Sequence, residues 1–102
     1  MADRRRTPRV AQSSAISYRA TAQSGRGTTI SLSAAGCMLE ADIAFQHRDP
    51  LTLLIHVGLE DPLVAIATVR WTRGVRCGVE FVCMSAGSQE RLDQVLRAHR
   101  SQ

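Results

Sequence analysis

With 102 residues, 44% hydrophobic and 22% charged, the chain has the make-up of one ordinary globular domain around a single core. No apolar run approaches the ~20 residues of a membrane-spanning helix, and no apolar segment follows the first arginines as a secretory signal requires, so a cytoplasmic protein without membrane contact is expected. The net charge is +4 and all 13 basic residues are arginines, which makes the position of each arginine more informative than their number.

The densest positive charge comes first, in Arg4-Arg5-Arg6-Thr7-Pro8-Arg9. Pro8 biases Thr7 away from helical dihedrals, so the approach to Arg9 reads as extended. In an extended chain residues four apart share a face, which puts Arg5 and Arg9 on one side, roughly 13 Å apart at their α-carbons. A guanidinium can hold a phosphate bidentately and can also stack on a base, so this pair suits a phosphate-and-purine ligand. The plainer reading is a solvated basic tail.

From Ser13 to Thr21 the sequence alternates, with Ile16, Tyr18 and Ala20 on one side, as a half-buried strand does. Ser24-Gly25-Arg26-Gly27 reads as a turn, followed by a strand at Thr28–Leu32 and a short one at Cys37–Glu40, with Gly36 between them marking either a backbone conformation or a close approach that a side chain would obstruct. The run Leu51–Val57 alternates strongly. Leu63–Thr72 and Val75–Met84 form a hairpin about Arg73-Gly74, with Val75, Cys77, Val79, Phe81 and Cys83 expected on one face. Trp71 and Phe81 are expected in the core. Only the end changes period: Leu92, Val95, Leu96 and His99 make the stripe of an amphipathic helix, capped by Ser85 or Ser88, with Glu90 in its first turn. The expectation is an all-β domain with a C-terminal helix, a six-stranded antiparallel β-barrel closed so that no strand edge is left open.

Catalysis and metal binding are not expected. His47, His56 and His99 fall in a loop, a strand and a helix without partners at triad or metal-ligand spacing, and Asp42, Glu60 and Asp61 read as loop solubilisers. Cys37, Cys77 and Cys83 form no CxxC pair and are expected as small buried residues, since Cys77 and Cys83 on one strand are too far apart for a disulfide.

In this order and spacing, the pieces resemble the PilZ domain, a bacterial receptor module for cyclic diguanylate (c-di-GMP). They are the RxxxR element Arg5-Arg6-Thr7-Pro8-Arg9, the segment Ser31-Leu32-Ser33-Ala34-Ala35-Gly36 in the place of [D/N]xSxxG, Val69-Arg70-Trp71, and Cys77-Gly78-Val79-Glu80-Phe81 before the closing helix. The resemblance implies a flexible arm over residues 1–12 and a barrel with its helix over 13–102. It implies a sensor or adaptor whose ligand draws the arm onto the barrel wall and alters a surface for a downstream protein partner. The residues implied to touch c-di-GMP are Arg4, Arg5, Arg9, Ser31, Ser33 and Gly36, with no cofactor.

One position departs from that pattern. Ser31 stands where the family prefers aspartate or asparagine, and loss of a charge-assisted contact costs about 1.5–3 kcal/mol. A degenerate adaptor without nucleotide therefore stays open as the alternative. A barrel for single-stranded nucleic acid is disfavoured, because only 4% of residues are aromatic and such proteins rely on aromatic stacking platforms.

Overall fold

The computed structural model describes residues 9–58 and 61–100. Seven strands and one helix follow one another: β1 (Arg9–Ala11), β2 (Ala15–Arg19), β3 (Ser24–Ser33), β4 (Gly36–Ala41), β5 (Pro50–His56), β6 (Leu63–Arg73), β7 (Arg76–Met84) and α1 (Ala86–Arg100). All pairings are antiparallel, in the order β1-β3-β2-β5-β6-β7-β4, and β4 also pairs with β3. That last pairing closes β2 to β7 into the expected six-stranded barrel. Closure gives each of the six barrel strands a neighbour on both sides, leaving only β1 with a single partner among the described residues.

The seventh strand, β1, continues the line of β2 along β3, with Val10 opposite Leu32 and Ala11 opposite Ser31. Between β1 and β2 the ladder is interrupted, and the buried Thr29 hydroxyl spans the break. It accepts from the Ser14 amide at 2.8 Å and donates to the Gln12 carbonyl at 2.8 Å. Arg9–Ala11, at the end of the expected arm, are thus paired strand. Arg4, Arg5 and the rest of residues 1–8 lie outside the described residues.

The interior is filled by alternate residues of every strand, including Ile16, Leu32, Leu39, Leu51, Leu53, Ile55, Leu63 and Val69, each at most 1% exposed. Leu92 and Leu96 of α1 join the same cluster. The Ser85 hydroxyl caps α1 by accepting from the Ser88 amide at 3.1 Å, and the Ser88 hydroxyl accepts from the Val64 amide at 3.2 Å, pinning the helix start to β6. Because α1 begins at Ala86, Glu90 falls beyond the first turn, which carries no acidic residue.

Four further expectations need correction. The turn after β2 spans Ala20–Gln23, closed by the Ala20 amide on the Gln23 carbonyl at 2.7 Å, and the glycines assigned to a turn lie inside β3. They serve close approach instead: a side chain at Gly25 would meet Tyr18 and Asp42, and one at Gly27 the Glu40 carbonyl. Asp42 is more than a solubiliser, since its carboxylate accepts from the buried Tyr18 hydroxyl at 2.6 Å. Burial, and then that hydrogen bond, push the Tyr18 hydroxyl up to about 12.

The other two corrections share a cause. Between Ile66–Cys83 and Ala67–Phe81 the register shifts, leaving Val82 as an extra residue on β7. Such a bulge reverses the alternation beyond it, so Cys83 is exposed while Cys37 and Cys77 are buried. Phe81 is only partly buried against the core, and Val75, in the turn, is exposed. A second shift, between Val69–Val79 and Trp71–Gly78, makes Arg70 the extra residue on β6. Trp71, which strict alternation would bury after Leu63, Ala65, Ala67 and Val69, is turned outward and is 42% exposed.

Candidate functional site

A third register shift, between Thr29 and Ser31, leaves Ile30 as the extra residue on β3 and aims Ser31 away from the core, opposite Met38. The shifts at Ile30 and Arg70 together assemble one row on the outer wall. Ala11 faces Ser31, Ser31 faces Met38, Met38 faces Gly78, and Gly78 faces Trp71. Three inter-strand steps separate Ser31 from Trp71, roughly 14 Å across the wall. Bulges re-aim side chains in this way beside binding sites.

Gly78 makes the row open. A Cβ there would run into the Trp71 indole, so the ring lies over the bare backbone of β7. Trp71, Met38, Glu40, Arg73, Val75 and Arg76 line a groove of about 630 Å³, within the range of small-molecule sites. Arg76 is held by Glu40 through two hydrogen bonds of 2.8 and 3.3 Å to the same carboxylate oxygen. Arg73 has no carboxylate partner among the described residues. The groove is therefore apolar at its floor and cationic at its edge.

Arg9 sits at the other end of the row. Its Nη1 donates to the Ser31 hydroxyl at 3.1 Å, and no carboxylate pairs with it among the described residues. A guanidinium offers five N–H donors, so a single bond to a hydroxyl leaves most of its capacity for an anion. Ser31 is 8% exposed, covered in part by this contact.

Ser33 plays another part. Its hydroxyl accepts from the Ala35 and Gly36 amides at 3.2 Å each and donates to the Gly36 carbonyl at 3.2 Å, and it is 1% exposed. The side chain closes the β3–β4 turn. Gly36 completes that turn against β7, where any Cβ would strike the Val79 carbonyl, which bears out the expected close approach. Of the expected site residues, the structure brings Arg9 and Ser31 into contact and places Ser33 and Gly36 in the turn beside them. Arg4 and Arg5 are outside the described residues. Residue spacing alone missed Trp71, Met38 and Arg73. Counting outward from the two-residue turn Gly74-Val75 pairs Trp71 with Gly78, and burying Cys77 and Val79 then puts that pair outside.

A closed six-stranded antiparallel barrel with one extra strand, a C-terminal helix and an arginine-flanked groove on its outer wall defines the class of small β-barrel modules to which this chain is assigned. The PilZ domain profile matches residues 3–98, and the chain belongs to the PilZ domain family, a c-di-GMP receptor family of binding and adaptor modules. No match to a curated protein was found. Among solved structures, the fold is shared with the Bacillus subtilis inhibitor of motility (MotI/DgrA) at TM-score 0.80 and 21% identity, over 99% of this chain and 53% of that one. The chain thus spans about half the length of that relative. It is also similar to the PilZ domain of YcgR from Escherichia coli, solved with c-di-GMP, at TM-score 0.78 and 14% identity, over 97% of this chain and 93% of that one. The PilZ domain of CeSA from a cellulose-synthesizing bacterium follows at TM-score 0.71 and 11% identity, over 90% of this chain and 97% of that one. Among the described residues no helix is long and apolar enough to cross a membrane, and no three metal-ligating side chains cluster.

Proposed function

We propose that the chain is a cytoplasmic c-di-GMP sensor that binds the dinucleotide on the outer row and passes the signal to a protein partner. In this reading Arg9 takes a phosphate, Arg4 and Arg5 close from the adjoining N-terminal stretch, and Ser31 hydrogen-bonds the ligand. The turn built by Ser33 and Gly36 keeps the wall flat beneath it, and Trp71 offers a stacking face. The observation that carries the reading is the Arg9 guanidinium, free of any carboxylate among the described residues, resting on Ser31 at the end of the Trp71 groove. No chemistry on the ligand is part of the proposal.

Calorimetric titration with c-di-GMP tests it, with a saturable isotherm expected. Trp71 is the single tryptophan, so its emission should change over the same concentration range. A flat isotherm at high micromolar protein favours the second reading, an adaptor that has lost the nucleotide. That reading has its own support in Ser31, which replaces a carboxylate or amide, and in the Ser33 hydroxyl already committed to the turn.

A further inference from the structure

A second group of cations lies further along β6 from Trp71, beyond β7 from the β3–β4 turn. The loop between β4 and β5 places His47 and Arg48 beside Thr68 and Arg70 of β6, and these four residues line a pocket of about 500 Å³. Thr68 pairs with Glu80 and Glu80 with Gly36, so the pocket lies two strands, roughly 10 Å, from the β3–β4 turn.

The loop is built rather than merely exposed. Arg48 has φ 76°, the one non-glycine residue in the left-handed region among the described residues. An unbranched but bulky arginine rarely adopts it, and such outliers persist where the surroundings impose them, often at ligand clamps. Here the surroundings do. The Arg48 amide donates to the Val69 carbonyl at 2.8 Å, the Val69 amide to the Asp49 carbonyl at 3.0 Å, and the Asp49 amide to the Gln46 carbonyl at 3.1 Å. The Asp49 carboxylate is taken up inside the loop by the Gln46 amide at 2.8 Å. Of the acidic groups near the pocket this leaves Glu80, bound to Arg70 through a single contact of 3.2 Å. Arg48 has no carboxylate partner among the described residues.

We infer that this pocket is an anion site for a small phosphate monoester. Two guanidinium forks, a hydroxyl and an imidazole line one pocket, and all four can donate while the nearest carboxylate, Glu80, is taken up by Arg70, which matches a dianion with three acceptor oxygens. A pocket of this volume admits a phosphate together with a small organic remainder. The site is independent of the c-di-GMP reading, since it shares no residue with the outer row.

The test is an amide-shift titration of isotopically labelled protein with inorganic phosphate and with glycerol 3-phosphate, each against sodium chloride at matched ionic strength. The Arg48, Thr68 and Arg70 signals should move and saturate with both phosphates and stay in place with chloride. Asparagine tolerates the left-handed conformation, so Arg48→Asn should melt no lower than the parent while its phosphate affinity falls at least about tenfold. Arg48→Gly provides the same comparison with the backbone strain removed. Shifts that never saturate, or that chloride reproduces, would overturn the site. So would shifts centred on Ser31 and Trp71, or undiminished binding in Arg48→Asn. A lowered melting temperature in both variants would make Arg48 a structural residue and also end the proposal. Vesicles containing phosphatidic acid separate the free ligand from a lipid headgroup: binding to vesicles alone, without response to either soluble phosphate, counts against it.

Discussion

Two rows of side chains run around the same strands, one residue apart on β3, β4 and β7 and two apart on β6, and they have opposite characters. The inner row, Leu32, Cys37, Val79 and Val69, is paired residue by residue and is 0–6% exposed. The outer row, Ser31, Met38, Gly78 and Trp71, is thinned to a hydroxyl and a bare glycine, with one aromatic ring laid across it. On β3, β4 and β7 the pleat keeps the two apart, since neighbouring residues on a strand point to opposite faces, and on β6 the Arg70 bulge does so. The outer surface can therefore change its chemistry without disturbing the packing that holds the barrel together. In this family member that freedom is visible at Ser31.

The largest effect that could break the comparison is on the inner row. Leu32→Ala should destabilise the domain by about 2–5 kcal/mol in urea unfolding, through lost burial and the cavity left behind. A cost under about 1 kcal/mol would mean that the interior is loosely packed and the two rows are not distinct. On the outer row, Arg9→Ala should weaken c-di-GMP binding roughly ten- to a hundredfold, equivalent to about 1.5–3 kcal/mol for a charge-assisted bond, while the urea midpoint stays nearly fixed. Unfolding of the barrel by this change would transfer Arg9 to the structural row. Ser31→Asp should tighten binding by about tenfold, as a carboxylate accepts more strongly than a hydroxyl from the ligand's donors. Calorimetry showing equal affinity would place the ligand elsewhere.

The smallest effect sits where the interior meets water, at Tyr18 and Asp42. Tyr18→Phe should cost about 0.5–1.5 kcal/mol through the lost hydrogen bond. It should also change the pH profile. The hydrogen bond from Tyr18 holds the Asp42 carboxyl below its ordinary range, so its stabilisation is present above that range and lost as pH falls through the folded value. The Tyr18 hydroxyl, raised from 10.0 to about 12, gives the opposite limb: full stability below pH 10, lost as pH climbs toward 12. Thermal melts across pH should show both limbs flattened in the phenylalanine variant.

Most of the barrel was legible because its strands alternate cleanly, as Leu51–Val57 and Leu63–Val69 do, and because only the last segment carries a helical stripe. The closed six-stranded architecture and the PilZ resemblance followed from the order of these pieces. What alternation could not reveal were the three bulges, since each adds one residue without any change in composition. Ile30 and Arg70 are such residues, and they alone decide that Ser31 and Trp71 face outward on the same wall. Counting from the Gly74 turn would have recovered Trp71, because that stretch of the hairpin keeps its register as far as Gly78. Gly25 and Gly27 misled for a related reason, as a glycine required by a neighbour's backbone reads in sequence like one required by a turn. Asp42 reads in sequence as a solvated residue because its partner, Tyr18, lies 24 positions away.

The Val82 bulge also supplies a chemical handle. Burial pushes the Cys37 and Cys77 thiols up to about 12 and about 11, so both stay protonated and enclosed at neutral pH, whereas Cys83 stands in solvent. A maleimide dye should therefore attach at one position without mutagenesis, five residues along β7 from Gly78, roughly 17 Å from the Trp71 platform. That span falls in the range of energy transfer from indole to a short-wavelength acceptor, so the native chain carries its own ruler for movements at the wall.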